Sequence, residues 1–148
     1  MIKILFICHG NICRSPCAEI VMKDLVSKAG LANDFEIASA ATSTEELGNP
    51  VYPPMRRLLD SKGYNTDGHY ARQMTRSDYD YYDYIICMDA NNIRNMRYIC
   101  DDTDGKIHML LEYAGLNRDV ADPWYTRNFN EAYNDILLGC TALLRQLT

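Results

Sequence analysis

The sequence predicts an α/β protein in which helices cover both faces of a parallel sheet. Three observations carry that prediction. Short apolar runs alternate with stretches of helical periodicity, the order expected of strand–helix–strand units. The runs Ile2-Lys3-Ile4-Leu5-Phe6-Ile7 and Tyr84-Ile85-Ile86-Cys87-Met88 are nearly continuous, as in strands covered on both sides. The segment from Cys8 to Ser15 then fits a tight loop from strand end to helix start, where such folds place their ligands.

Residues 2–7 form the first predicted strand. A helix follows over Ser15 to Ala29, with Ala18, Val21, Met22, Leu25, Val26 and Ala29 on one buried face and Glu19, Lys23, Asp24 and Lys28 toward solvent. Pro16 suits its first turn and Gly30 its stop. Phe35 to Ala40 reads as a second strand, and Ala41 to Pro50 as a polar loop. A helix from Pro53-Pro54 to Gly63 turns Met55, Leu58 and Leu59 inward. Tyr64 to Gln73 is read as a connection and Thr75 to Tyr81 as a short helix capped by Thr75. After the strand Tyr84 to Met88, Asp89 leads a helix to about Ile99. Lys106 to Leu110 is a short fourth strand, and Leu111 to Tyr125 is mostly loop. A stripe from Phe129 to Leu147 predicts the last helix, with Asn128 and Glu131 spaced as a capping box.

A chain of 148 residues accommodates one domain, 1–148, with a full core and no repeat or linker. Its 47% hydrophobic content suits a globular protein, and its net charge of −5 argues against nucleic acid or an anionic membrane as partner. No apolar run approaches the roughly 18–20 residues of a membrane span, and no signal-peptide pattern is visible, so the expectation is a cytoplasmic protein. Six cysteines (Cys8, Cys13, Cys17, Cys87, Cys100, Cys140) are then expected to be reduced. Cys17, Cys87 and Cys140 read as packing residues. Without a Cys-x2-Cys pair or paired histidines, no metal site and no cofactor are expected.

The chemistry concentrates in Cys8-His9-Gly10-Asn11-Ile12-Cys13-Arg14-Ser15. Loop N–H groups and a helix N-terminus favour an oxyanion such as phosphate. The same surroundings, with Arg14, favour the thiolate of Cys8 and so a nucleophile. Arg14 presents a planar fork for two phosphate oxygens. Gly10 allows close backbone approach, and Asn11 tolerates a left-handed conformation. Ser15 is placed to donate to the Cys8 sulfur.

With Pro16, this stretch resembles the phosphate loop of the low-molecular-weight protein tyrosine phosphatases. The resemblance continues at Ser39-Ala40-Ala41-Thr42, His69-Tyr70-Ala71-Arg72-Gln73, Asp83 to Asp89 and Asp122-Pro123-Trp124-Tyr125. It implies a three-layer α/β/α fold whose four-stranded parallel sheet has the order 2-1-3-4. It also implies hydrolysis of phosphotyrosine without metal, through a phosphocysteine on Cys8. Arg14 would clamp the phosphate, and Asp122 would act as general acid and then base. Two aromatics beside Asp122 would partly desolvate its carboxyl and favour its protonated form. Asn11, Ser15, Ser39 and His69 match family positions that brace the loop. His9 falls at the pocket rim, and His108 reads as structural. Cys13 matches a second loop cysteine able to form a reversible disulfide with the nucleophile.

Ile12, Trp124 and Tyr125, with the loop after Thr42, would line a slot for an aryl phosphate. Glu45 stands where many members carry a bulky residue, and its charge favours basic peptides over acidic ones. Arginine phosphatases of similar sequence carry threonine where Ile12 stands. Arsenate reductases use further cysteines. Cys87 resembles one, but Arg94 stands about where another would be. A catalytically silent phosphotyrosine-binding module is the non-enzymatic alternative, disfavoured by the joint presence of Cys8, Arg14 and Asp122. The expected partners are phosphotyrosine proteins or peptides, a tyrosine kinase, and inorganic phosphate as product. The expected state is a monomer, with weak dimerisation allowed. The tyrosines Tyr79, Tyr81, Tyr82 and Tyr84 read as packing around a strand start.

Overall fold

The computed structural model describes residues 1–148. Strands β1 (Ile2–Cys8), β2 (Phe35–Ala41), β3 (Tyr84–Cys87) and β4 (Ile107–Met109) form one parallel sheet of order β2-β1-β3-β4. Strand β1 lies centrally, with Ile4 opposite both Ile37 and Tyr84. Its successive side chains enter two different cores. Ile4, Phe6 and Cys8 join one cluster, while Leu5 and Ile7 join the other. This explains why the strand reads as a continuous apolar run.

Helices α1 (Arg14–Lys28), α2 (Pro53–Ser61) and α6 (Phe129–Leu147) pack on the first face. Helices α3 (Arg76–Tyr81) and α4 (Ala90–Met96) supply Tyr79 and Met96 to the second. The predicted order 2-1-3-4 and the helical cover on both faces are therefore observed. Glycine ends α1 as expected, with Gly30 at φ +74°. Thr75 caps α3 by accepting from the Asp78 N–H at 3.3 Å. Asn128 caps α6 by accepting from the Glu131 N–H at 3.0 Å.

The differences lie at element ends and in the connections. Helix α1 starts at Arg14, one residue earlier than expected, and α4 ends at Met96. The stretch read as loop after the fourth strand contains a 3-10 turn, Leu110–Ala114, and a short helix, α5 (Pro123–Thr126). The Tyr64–Gln73 connection touches the sheet through a parallel bridge between Ala41 and Gln73. Glu19 is not a free surface carboxylate, because it accepts from Ser39 Oγ at 2.6 Å as well as from Lys23. Gly139 is buried in α6, where an added Cβ would lie 2.5 Å from Leu110 Cγ, so the helix seats against that turn only without a side chain. Tyr79 and Tyr82 are buried, Tyr84 is half-buried and Tyr81 is exposed. No helix is long and apolar enough to cross a membrane.

Candidate active site

Strand β1 delivers Cys8 to the carboxyl edge of the sheet, and the chain turns over residues 9–13 into α1. The turn needs one left-handed residue, and Asn11 takes it at φ 58°. The Cys8 Sγ lies inside this turn. It accepts from the N–H groups of Asn11 at 3.3 Å and Ser15 at 3.4 Å. Ser15 Oγ lies 2.9 Å from the sulfur. That hydroxyl already accepts from Asn11 Nδ2 at 2.8 Å, so its own proton is free to point at sulfur. These three donors and the start of α1 place partial positive charge around a buried sulfur.

Asn11 is fully buried and fully bonded. Its Nδ2 also donates to Ser39 Oγ at 2.9 Å, and its Oδ1 accepts from the Arg72 N–H at 3.1 Å. Its backbone carbonyl pairs with His69 Nε2 at 2.7 Å, which requires the His69 proton on that nitrogen. Ser39 passes the chain on to Glu19. The structure thus brings Asn11, Ser15, Ser39 and His69 together, and adds Glu19 and Arg72, which the sequence reading left out of the site. Glu19 carries no motif signal, since a glutamate on a helix beside a lysine ordinarily reads as solvated.

Arg14 is 4% exposed, and its guanidinium is held from three sides. Nη2 donates to Asp89 Oδ2 at 2.8 Å and to Asp122 Oδ2 at 3.3 Å, and Nη1 donates to the Val120 carbonyl at 3.1 Å. Burial alone would lower the Arg14 pKa. The Cys8, Asp122 and Asp89 charges more than offset this and leave it raised, so the group stays cationic. Asp89, which leads α4, also reaches this site. It is an N-cap, accepting from the Asn92 N–H at 2.8 Å, and its second oxygen faces Arg14. Asp122 caps α5 by accepting from the Trp124 N–H at 3.0 Å, which fixes its carboxyl beside Arg14.

These groups open on a cleft of about 460 Å³, lined by Cys8, His9, Gly10, Ile12, Cys13 and Arg14 on one side. Glu45, Glu46, Tyr52, Asp122, Trp124 and Tyr125 are among the remaining walls. Trp124 is 64% exposed and Tyr125 81%, so both rise from the rim and are not packed in the core. His9 Nε2 and Glu45 Oε2 lie 2.9 Å apart in an exposed hydrogen bond, which ties the loop after β2 to the loop after β1. Cys13 lies at the start of α1 beside the cleft. Burial, followed by the nearby Cys8 charge, pushes its thiol up to about 12. Cys17, Cys87 and Cys140 are fully buried, and all six cysteines are free thiols. His108 bonds the Gly105 carbonyl at 3.0 Å, and Arg94 donates to Oδ1 of Asn91, a residue of the cleft lining. No three of the His, Cys, Asp and Glu side chains are grouped to hold a metal ion.

The family model for low molecular weight phosphotyrosine protein phosphatases matches residues 3–148. The chain is 41% identical to the low molecular weight protein-tyrosine-phosphatase YfkJ of Bacillus subtilis, over 99% of this chain and 96% of that protein. The crystal structure of YfkJ superposes with a TM-score of 0.95, covering 99% of this chain and 94% of that one. The low molecular weight phosphotyrosine protein phosphatase of Gallus gallus is 39% identical, over 97% and 94% of the two chains. A Drosophila arginine phosphatase superposes with a TM-score of 0.89 at 30% identity, over 99% and 98%. The chain belongs to the low molecular weight phosphotyrosine protein phosphatase family, and as a protein tyrosine phosphatase it is a phosphoric monoester hydrolase.

Proposed function

We propose that the chain acts as one domain and hydrolyses phosphotyrosine in proteins through a phosphocysteine on Cys8. The observation that carries this reading is the convergence of Cys8 Sγ, Arg14 and Asp122 on one cleft, with Asp122 Oδ2 3.3 Å from Arg14 Nη2. The Cys8 thiolate attacks phosphorus, an S–P bond forms, and the P–O bond to the tyrosine oxygen breaks. Arg14 turns its fork to the equatorial oxygens, and loop N–H groups share their charge. Asp122, acting as general acid, gives its proton to the departing phenolate. In the second step Asp122 takes a proton from water, which attacks phosphorus. Inorganic phosphate leaves and the sulfur departs as thiolate, steadied by Ser15 Oγ and the Asn11 and Ser15 N–H groups.

Ile12, Tyr52, Trp124 and Tyr125 supply apolar and aromatic surface to the cleft walls, which suits a phenyl ring. Phosphoarginine is a second reading, favoured by the likeness to the Drosophila arginine phosphatase. The isoleucine side chain at position 12 offers a guanidinium no polar partner, so tyrosine is preferred. Cys13, at the edge of the same cleft, is the thiol that would close on Cys8 under oxidation.

The test is kinetic. Cys8→Ser should abolish turnover of p-nitrophenyl phosphate, and Asp122→Ala should lower kcat on a phosphotyrosine peptide by about 10²–10⁴-fold while sparing substrate binding. Substantial turnover by Cys8→Ser would end this reading. Faster hydrolysis of phosphoarginine than phosphotyrosine peptides would transfer it to the second substrate.

A further inference from the structure

One peptide unit joins helix α6 to the phosphate arginine. The Val120 carbonyl accepts from Arg14 Nη1 at 3.1 Å, and the N–H of the same peptide, on Ala121, donates to Asp135 Oδ2 at 3.0 Å. Asp135 lies on α6, is 7% exposed and does not line the cleft. The Arg118 fork holds both its oxygens, Nη1 to Oδ2 at 3.0 Å and Nη2 to Oδ1 at 2.9 Å. The flanking residues are also tied. The Val120 N–H donates to the Met88 carbonyl at 2.9 Å, and Asp119 Oδ1 accepts from the Ala90 N–H at 3.1 Å. The three residues before Asp122 are thus pinned in turn to the start of α4, to Met88 just beyond β3, and to α6.

We propose that Asp135, gripped by Arg118, is a positioning residue for both Arg14 and Asp122, acting through the plane of the Val120–Ala121 peptide. The proposal rests on the roles given above to those two groups. A carboxylate behind an N–H polarises the peptide and strengthens its carbonyl as an acceptor. It also prevents the peptide from rotating, and Asp122 begins one residue later. Arg118 is half-exposed, so the ion pair by itself adds little stability. Its specific contribution is geometric, because Asp135 Oδ2 also accepts from the Ala121 N–H in the loop that carries the acid.

The experiment compares two substrates in wild type, Asp135→Ala, Asp135→Asn and Arg118→Ala. p-Nitrophenolate leaves readily without a proton, whereas tyrosinate needs one. Asp135→Ala should lower kcat/KM on a phosphotyrosine peptide roughly 10-fold and on p-nitrophenyl phosphate only about 2-fold, inside the roughly 100-fold that a 1 Å misplacement costs. It should also weaken inhibition by inorganic phosphate, the readout of Arg14. Asp135→Asn, which still offers an oxygen to Ala121, should recover part of both. Arg118→Ala changes a half-exposed side chain and serves if Asp135→Ala does not fold. Equal losses on the two substrates, or no loss in a variant with a wild-type unfolding transition, overturn the proposal. The kcat/KM of Asp122→Ala, which reads the step in which the phenolate leaves, is measured alongside on both substrates. If it fails to separate the substrates, the general-acid reading itself falls. If it separates them and the Asp135 and Arg118 variants do not, only the positioning role falls.

Discussion

Asn11 donates through Nδ2 to Ser39 Oγ at 2.9 Å, so the phosphate loop hangs from the edge strand β2. The same amide reaches Ser15 and accepts from Arg72, and the residue is held at φ 58°. Alanine there would strand three buried partners and keep the unfavourable backbone. We expect Asn11→Ala to cost about 2–4 kcal/mol of stability and to lower kcat/KM on every aryl phosphate. Urea denaturation and steady-state kinetics check both, and an unchanged midpoint with unchanged turnover would remove Asn11 from this role.

Asp89 neutralises a buried guanidinium and caps α4 with its other oxygen. Truncation leaves Arg14 with only Asp122 and a carbonyl. Asp89→Ala should destabilise the protein by about 3–5 kcal/mol. Asp89→Asn should lose clearly less, because its oxygen still accepts from Asn92. The order of the two denaturation midpoints is the measurement, and equal losses would deny the cap its part.

Glu45 is an exposed carboxylate on the cleft wall, paired with His9. Reversing it in Glu45→Lys should shift preference from peptides with basic residues beside phosphotyrosine to peptides with acidic ones. An exposed charge contributes up to about 1 kcal/mol, so the ratio of kcat/KM values should move by roughly 5-fold and shrink at high salt. A ratio that stays fixed at low salt would make Glu45 a bystander.

Burial tends to raise the Asp135 pKa, but the Arg118 fork and the Ala121 N–H outweigh it, and the net shift is below the ordinary 3.8. A carboxyl lowered in the folded state contributes stability above its unfolded pKa and loses it as pH falls through the folded value. Thermal unfolding of the wild type should therefore weaken below about pH 4. Asp135→Asn should be less stable at neutral pH and show a flatter acid arm. Parallel curves for the two proteins from pH 6 to pH 3 would contradict this.

Much of this molecule is legible in single residues. Near-continuous apolar runs mark β1 and β3 because both their faces are covered. Pro16 and Gly30 bracket α1 because each backbone constraint suits only one end of a helix. Cys8, Arg14 and Ser15 could be identified because strand, loop and helix are contiguous, so their spacing alone determines their geometry. The 3-10 turn at 110–114 and α5 could not be read this way, since segments of four or five residues show no period.

By itself, the sequence determined the fold class and the strand–loop–helix turn that holds Cys8, Arg14 and Ser15, all of which depend on local order along the chain. Tertiary structure alone decided who faces Arg14. Asp89, Val120 and Asp122 come from segments separated from it by 75, 106 and 108 residues. It also turned Glu19 from a surface charge into the end of the Asn11–Ser39 chain, and put Asp135 behind the acid loop. The physical reason is common to all of them. A buried polar group must find a partner, and which partner lies within 3 Å is set by packing that no local pattern encodes.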